Sequence, residues 1–428
     1  MRISTSRYRP GRLARAAVIT LFWQMVRIGA LALWMLVTAR LLGPAGYGVY
    51  TGLASLAIAV GALTGLGLGF VMYQGTIHNP ERFSGYWMNA LAAALASGCI
   101  LSALFSVFGE GLIPGTSHTL LLAIGTSEIL LFPLVTVSAF AFSAHERLGW
   151  ATMLPAMAAT LRLGGNMLFY WLTPSFDVEH YVWYHAIATG MSALISLTLV
   201  GRLLAPSKAK IAINRKDFTE GLGFACGWVG SNALTSLDKT FALKFGSPEV
   251  AGIYSIAYRF VTILAQPIDA LLAAALPRLF VQGATPAKHP QLLALLIGST
   301  LGYGAASGLL IWLSAPFIPQ LLGNAFEPAV KIIRILAIVI PLYGLRVAIS
   351  QALIGRRQKK VKSLIELLAI TLLLSLSVLF VPKLGAIGAA YACLGSEAFL
   401  ALGAALAVTR TAKNRQETQR DQVNNKEM

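Results

Sequence analysis

Acidic residues are scarce in this sequence of 428 residues: 17 Asp and Glu stand against 34 Lys and Arg, and charged residues of either sign make up only 12% of the chain. Soluble globular domains carry about 25% charged residues, so this composition excludes an ordinary water-soluble protein. Cysteine is scarce too. Cys99, Cys226 and Cys393 all fall in apolar stretches, which excludes a disulfide framework and a metal-ligand spacing. Long polar stretches are also missing. No connection between apolar segments exceeds about twenty residues, which leaves no room for a soluble catalytic domain or for the long outer loop of a sugar-polymerising site. There is no zincin pair, no nucleophile elbow and no pair of carboxylates at catalytic spacing. The residues call for no cofactor or metal, and the chemistry they point to is translocation rather than catalysis.

What fills the chain instead is apolar: 56% hydrophobic residues and a mean hydropathy of +0.69. About 20 helical residues cross the 30 Å hydrocarbon core of a bilayer. Twelve segments of that length follow one another, at residues 16–38, 48–72, 86–108, 119–142, 150–172, 181–203, 222–244, 250–276, 292–313, 329–353, 365–381 and 385–408. The expected fold is an all-α integral membrane protein of twelve transmembrane helices. The organisation follows: a basic cytoplasmic N-terminus (1–15), a first lobe of six helices (16–204), a cytoplasmic linker (205–220), a second six-helix lobe (221–409) and a cytoplasmic tail (410–428).

The formal net charge of +17 suggests nucleic acid until the basic residues are placed. With the N-terminus inside, 24 of the 34 fall on the cytoplasmic side, among them Arg2, Arg7, Arg9, Lys208, Arg215, Arg356, Arg357 and Lys359. Only Arg40, Lys244 and Lys383 fall outside. This is the positive-inside asymmetry, which puts both termini in the cytoplasm. The basic runs therefore read as topology signals in contact with anionic membrane lipid, with no nucleic-acid partner. The apolar run after Arg15 is too long for a secretory signal and reads as a retained first helix.

Seven cations remain inside the apolar segments: Arg27, Arg162, Lys239, Arg259, Lys331, Arg334 and Arg346. Five acids accompany them: Glu128, Asp238, Asp269, Glu366 and Glu397. A charge at the centre of a lone spanning helix costs about 3 kcal/mol, so these residues should face a bundle interior, water or an anionic ligand. The rest of the chain then reads as the wall of a cavity that holds them. Lys331, Arg334 and Arg346 share one side of an ideal helix, a basic stripe on the tenth segment. Lys331, Arg334 and Glu397 also lie near enough to an interface to snorkel, and Asp238 has a neighbouring cation in its own Lys239. Arg27 and Arg259 lie too deep for that. A guanidinium holds phosphate oxygens bidentately, so these two are the leading candidates for an anionic ligand.

His185 reads either as a proton relay or as a core histidine sharing a hydrogen bond. Gly61, Gly65 and Gly69, four residues apart, read as a helix-packing face rather than a phosphate loop. Pro133, Pro155, Pro267 and Pro341 mark kinks or hinges. The halves echo one another. Pro44, Gly48 and Tyr50 return as Pro248, Gly252 and Tyr254, and Phe132-Pro133-Leu134 returns as Ile340-Pro341-Leu342. Six helices per half make this a parallel repeat, of the kind found in transporters that rock about a central site.

The junction Arg40-Leu41-Leu42-Gly43-Pro44-Ala45-Gly46-Tyr47-Gly48-Val49-Tyr50 resembles that of bacterial O-antigen and exopolysaccharide (Wzx-type) flippases. These form a branch of the multidrug/oligosaccharidyl-lipid/polysaccharide exporter superfamily. Ser236-Leu237-Asp238-Lys239, Ala251-Gly252-Ile253-Tyr254 and Gly385-Ala386-Ile387-Gly388 are similar to later stations of the same family. The resemblance implies two six-helix lobes about a cationic cavity in the bacterial inner membrane. It also implies transfer of an undecaprenyl-pyrophosphate-linked oligosaccharide to the periplasmic leaflet, beside a polysaccharide polymerase and export machinery. On this reading Arg27, Lys239 and Arg259, helped by Arg162 and Arg346, hold the pyrophosphate, and Asp238, Asp269, Glu128 and Glu366 are the ion-coupling candidates. Lys239 stands where many relatives have Arg. The two extra C-terminal helices of lipid II flippases are not found here, which disfavours a peptidoglycan precursor as cargo. A small-molecule exporter of the same superfamily is the alternative, although its cavity would be acidic.

The charge asymmetry predicts that alkaline phosphatase fused at residue 177 is active outside the cell and fused at residue 214 is inactive. The opposite pattern in a fusion assay would overturn the topology.

Overall fold

The computed structural model describes residues 10–207, 209–212, 214–282, 289–355 and 359–427. The basic residues Arg2, Arg7, Arg9, Lys208, Arg356 and Arg357 of the topology argument lie outside them. Among the described residues every regular element is helical. The chain is an all-helical, multi-pass integral membrane protein. In hydrocarbon a helix is the one open element that satisfies its own backbone hydrogen bonds. Among the described residues, eight helical stretches are long and apolar enough to cross a membrane. One of them, Ala17–Gly61, contains the first expected segment and much of the second. Three further helices carry the polar residues that lower their apolarity, among them Arg162, Asp238 and Asp269.

Contacts divide the chain into two compact units, Met1–Thr240 and Phe241–Met428, so the division falls near the end of a helix, Arg215–Phe245.

The first unit begins with α1 (Pro10–Gly61), which bends at Gly43. Gly43 has φ 64°, open to glycine at no cost, and Pro44 follows without an amide hydrogen to lose. After α1 comes a break at Thr64–Gly67, then α2 (Leu68–His78). Gly65, Leu66 and Gly67 there have φ of 76°, 49° and 73°. The glycine face read from the four-residue spacing is therefore not one continuous helical stripe. Gly61 and Gly69 pack on a neighbouring helix while Gly65 turns the chain.

Next are α3 (Phe83–Leu112) and α4 (His118–Gly125), which widens into a π-turn at Thr126–Leu131 before α5 (Phe132–Ala144). Then come α6 (Leu148–Leu172), α7 (Val178–Leu203) and α8 (Arg215–Phe245). Met72, Trp87, Phe142, Leu154 and Val200 form the core beneath them. The broken stretch and the π-turn meet. A Cβ on Gly61 would lie 2.7 Å from the Glu128 carbonyl oxygen, the Thr64 hydroxyl donates to the Ile129 carbonyl at 2.7 Å, and Gly98 of α3 closes against Leu130. The linker is tied down too: Asn89 exchanges two hydrogen bonds with the backbone of Ala212, at 2.9 and 3.0 Å.

The second unit holds α9 (Pro248–Gln282), α10 (His289–Ser314), the short α11 (Ile318–Leu322), α12 (Ala329–Leu336), α13 (Val339–Gly355), α14 (Lys359–Leu384) and α15 (Ala386–Glu427). The expected tenth segment is interrupted at Ala337 and Ile338, just before Pro341. Here the internal echo has a structural counterpart. Pro133 and Pro341 each follow a helix irregularity, and Gly304 closes on Pro341 as Gly98 closes on Leu130. Tyr50 and Tyr254 are both buried.

Gly304→Ala places a Cβ 2.7 Å from the Pro341 Cα, whereas Gly302 meets nothing within 4 Å. Overpacking against backbone costs about 1–3 kcal/mol. Thermal unfolding of the purified protein should show a lower Tm for Gly304→Ala and little change for Gly302→Ala.

Candidate functional site

The π-turn of the first unit aims Glu128 into a knot of polar groups. Its carboxylate accepts from Arg162 of α6 at 2.8 Å and faces His185 Nε2 of α7 at 2.7 Å. Arg162 Nε donates to the Thr189 hydroxyl at 3.0 Å, and that hydroxyl donates to the His185 carbonyl at 2.8 Å. Ser127 approaches both Glu128 and Thr189, at 3.3 and 3.2 Å. The Tyr50 hydroxyl lies 3.2 Å from His185 Nε2, and the Arg162 guanidinium sits 4.7 Å above the Phe132 ring. A π-turn displaces one residue from the ordinary helical register, and such turns often occur at functional positions. A second polar layer neighbours this knot: Asn166 donates to the Thr38 hydroxyl and to the Trp34 carbonyl.

Near the end of the same unit Asp238 and Lys239 neutralise each other. The ammonium donates to Asp238 at 2.7 Å and to the Thr235 carbonyl at 2.9 Å, with both residues buried. The second unit has its own chain of polar contacts. Tyr343 donates to Asp269 at 2.7 Å, Arg346 lies 4.9 Å from the Tyr343 ring, and Arg346 pairs with Glu397 at 2.8 Å. Glu366 is buried on α14.

The nine candidates therefore do not behave as one class. Arg162, Lys239 and Arg346 each have an acid of their own. Arg27 on α1 and Arg259 on α9 are half-buried and have no acid within 4.0 Å among the described residues. The basic stripe expected on the tenth segment does not exist. The break between α12 and α13 leaves Lys331 and Arg334 exposed, Arg334 over the Trp312 ring, and turns Arg346 inward to Glu397. Glu397 is likewise a buried ion-pair partner rather than a snorkelling acid. Among the described residues no group of three His, Cys, Asp or Glu is placed to hold a metal ion. Tyr343, Thr189 and the π-turn carry no sequence signal that would have singled them out. His185 did carry one, as a lone polar ring in an apolar segment.

The profile of the family described as polysaccharide biosynthesis protein matches residues 13–281. No curated protein matches the sequence significantly. Among solved structures, the chain is similar to one titled "Lipid II flippase MurJ, inward closed conformation", with a TM-score of 0.72 and 16% identity over 92% of this chain and 87% of that one. An inward-facing multidrug resistance MATE family transporter of the MOP superfamily gives a TM-score of 0.74 at 15% identity, over 94% and 99%. A MOP superfamily transporter from Pyrococcus furiosus, with a title reporting a reversed polarity of its binding pocket, gives 0.61 at 14% identity, over 94% and 95%. Identities this low establish a shared fold.

Glu397→Gln leaves Arg346 buried and unmatched, which costs roughly 3 kcal/mol or more. The single variant should unfold at clearly lower temperature than wild type, and the double variant Arg346→Met, Glu397→Leu should recover most of the loss. Equal Tm values for single variant and wild type would show that the pair is not needed.

Proposed function

Since the chain belongs to the polysaccharide biosynthesis protein family, we propose that it is a flippase. On this reading it moves polyprenyl-pyrophosphate-linked oligosaccharide units from the cytoplasmic to the periplasmic leaflet of the bacterial inner membrane, for lipopolysaccharide or exopolysaccharide assembly. The observation that carries this reading is the charge ledger. Each unit retains one deep arginine, Arg27 or Arg259, with no internal acid among the described residues. An unmatched guanidinium in a membrane protein is unstable until an anion meets it. A pyrophosphate is a fitting anion because two phosphates offer paired oxygens to the planar fork.

Lys239, Arg162 and Arg346 are secondary ligands, since each must first part from its acid. Asp238, Asp269, Glu128 and Glu366 are the groups through which an ion gradient would act. The lobes at 16–204 and 221–409, joined by the linker at 205–220, would alternate access, with both termini in the cytoplasm. A polysaccharide polymerase and export machinery would consume the product. A cationic-drug exporter fits the fold equally but would leave Arg27 and Arg259 without a counter-charge.

The test is deletion of the gene followed by extraction of lipid intermediates. A complete polyprenyl-pyrophosphate repeat unit trapped in the cytoplasmic leaflet, with surface glycan lost, is the expected result. Normal intermediates and normal glycan would turn the assignment toward small-molecule export. In complementation, Arg27→Ala and Arg259→Ala inserted at normal levels should each lower export about 10- to 100-fold, the worth of one charge-assisted contact. Full export by both would exclude the ligand role.

A further inference from the structure

His185 is the member of the first unit's buried knot that the flippase reading leaves without a task. Its Nε2 lies 2.7 Å from Glu128 Oε1, while its Nδ1 has no partner among the described residues. Two bare acceptors do not approach to that distance, so a proton lies between them. With Glu128 ionised and matched by Arg162, the imidazole is neutral and carries its hydrogen on Nε2. Nδ1 is then a bare lone pair, open to a second proton.

Three aromatic rings surround the imidazole. The Trp34 and Tyr50 rings lie 5.8 and 5.3 Å from the imidazole centre, with Tyr181 at 6.1 Å. Aromatic faces attract a cation at about these distances. Among the described residues, the other titratable and charged groups around it are few. Arg162 comes from α6, Tyr181 from α7, and Tyr47 and Tyr50 from α1; α5 offers none, and Cys99 of α3 is exposed.

A second proton would set two cations against one carboxylate in a low-dielectric interior, which is costly unless one of them leaves. The geometry decides which. The His185 side chain is 1% exposed and the Arg162 side chain 11%, so the arginine is the one with a way out. Its departure strands no partner: Glu128 keeps His185 and Ser127, and Thr189 keeps Ser127.

We propose that His185 is a proton-operated switch on Arg162: a proton taken up at Nδ1 makes the imidazolium the counter-ion of Glu128 and releases the guanidinium to bind a phosphate-type anion. Arg162 stays protonated throughout and exchanges one anionic partner for another. The exchange stands on the geometry of the knot, and the identity of the released arginine's ligand rests on the flippase reading above.

The test uses the full chain in lipid nanodiscs, labelled with an arginine-selective dicarbonyl and quantified by mass spectrometry as the ratio of Arg162 to the exposed Arg82. Measurements run from about pH 8 down to about pH 4, so that the ordinary histidine pKa of about 6.5 lies well inside the range. In wild type the ratio should rise on the order of tenfold at the lower pH. It should stay flat in His185→Gln, which keeps a donor but takes no charge, and be high at every pH in Glu128→Gln. A flat ratio in wild type overturns the switch whatever the variants do, and so does a pH response that survives in His185→Gln. Inorganic pyrophosphate should protect Arg162 at the lower pH. A working switch without that protection overturns the anion assignment alone and leaves the proton exchange standing.

Discussion

The cost of holding a charge in hydrocarbon governs this molecule. Each cation placed at membrane depth requires a partner, and three of the seven find one within their own unit: Arg162 with Glu128, Lys239 with Asp238 and Arg346 with Glu397. Such pairs add little net stability, because desolvation consumes most of the Coulombic gain. Their value is in specifying which helix faces meet. Glu128 ties the π-turn to α6 and α7, and Arg346 ties α13 to α15.

The irregular backbone follows from the same solvent. A broken helix inside a membrane leaves amide and carbonyl groups that no water reaches, so each break must be supplied by its neighbours. The break at Thr64–Gly67 takes Ser97 as acceptor for the Gly65 amide at 2.8 Å, and Thr64 in turn caps the Ile129 carbonyl. Glycine permits both sides of the bargain. Gly65 and Gly67 adopt positive φ at no steric cost, and Gly61 and Gly98 let backbones approach to distances a side chain would forbid. The widened turn that carries Glu128 is therefore part of a three-helix arrangement rather than a local defect.

On the proposed flippase reading, function resides in the charges that pairing leaves over and in those whose pairing is conditional. Arg27 and Arg259 belong to the first group. Arg162 belongs to the second, because its acid has a rival partner in His185 at 2.7 Å. A flippase of an anionic lipid, as proposed, would gain from both kinds. Permanently unmatched arginines would attract that cargo, and a conditionally matched one would relate the grip on it to the state of a proton site.

Composition alone settled the class of this protein: hydropathy, the scarcity of charge and segment length are solvation properties, readable residue by residue. The family was legible for a related reason, since the Leu42-Gly43-Pro44 junction encodes a backbone bend that only those residues make cheaply. The candidate site was legible as a set of deep charges but not as an arrangement. Helical periodicity placed Lys331, Arg334 and Arg346 on one stripe, and the break at Ala337 and Ile338 undid it. No spacing rule brings Glu128, Arg162 and His185 together, because they come from three helices whose meeting depends on close packing and on a π-turn that shifts the register. Which charges are paired was decided by tertiary structure, since an ion pair is a property of the distance between helices and not of any one of them.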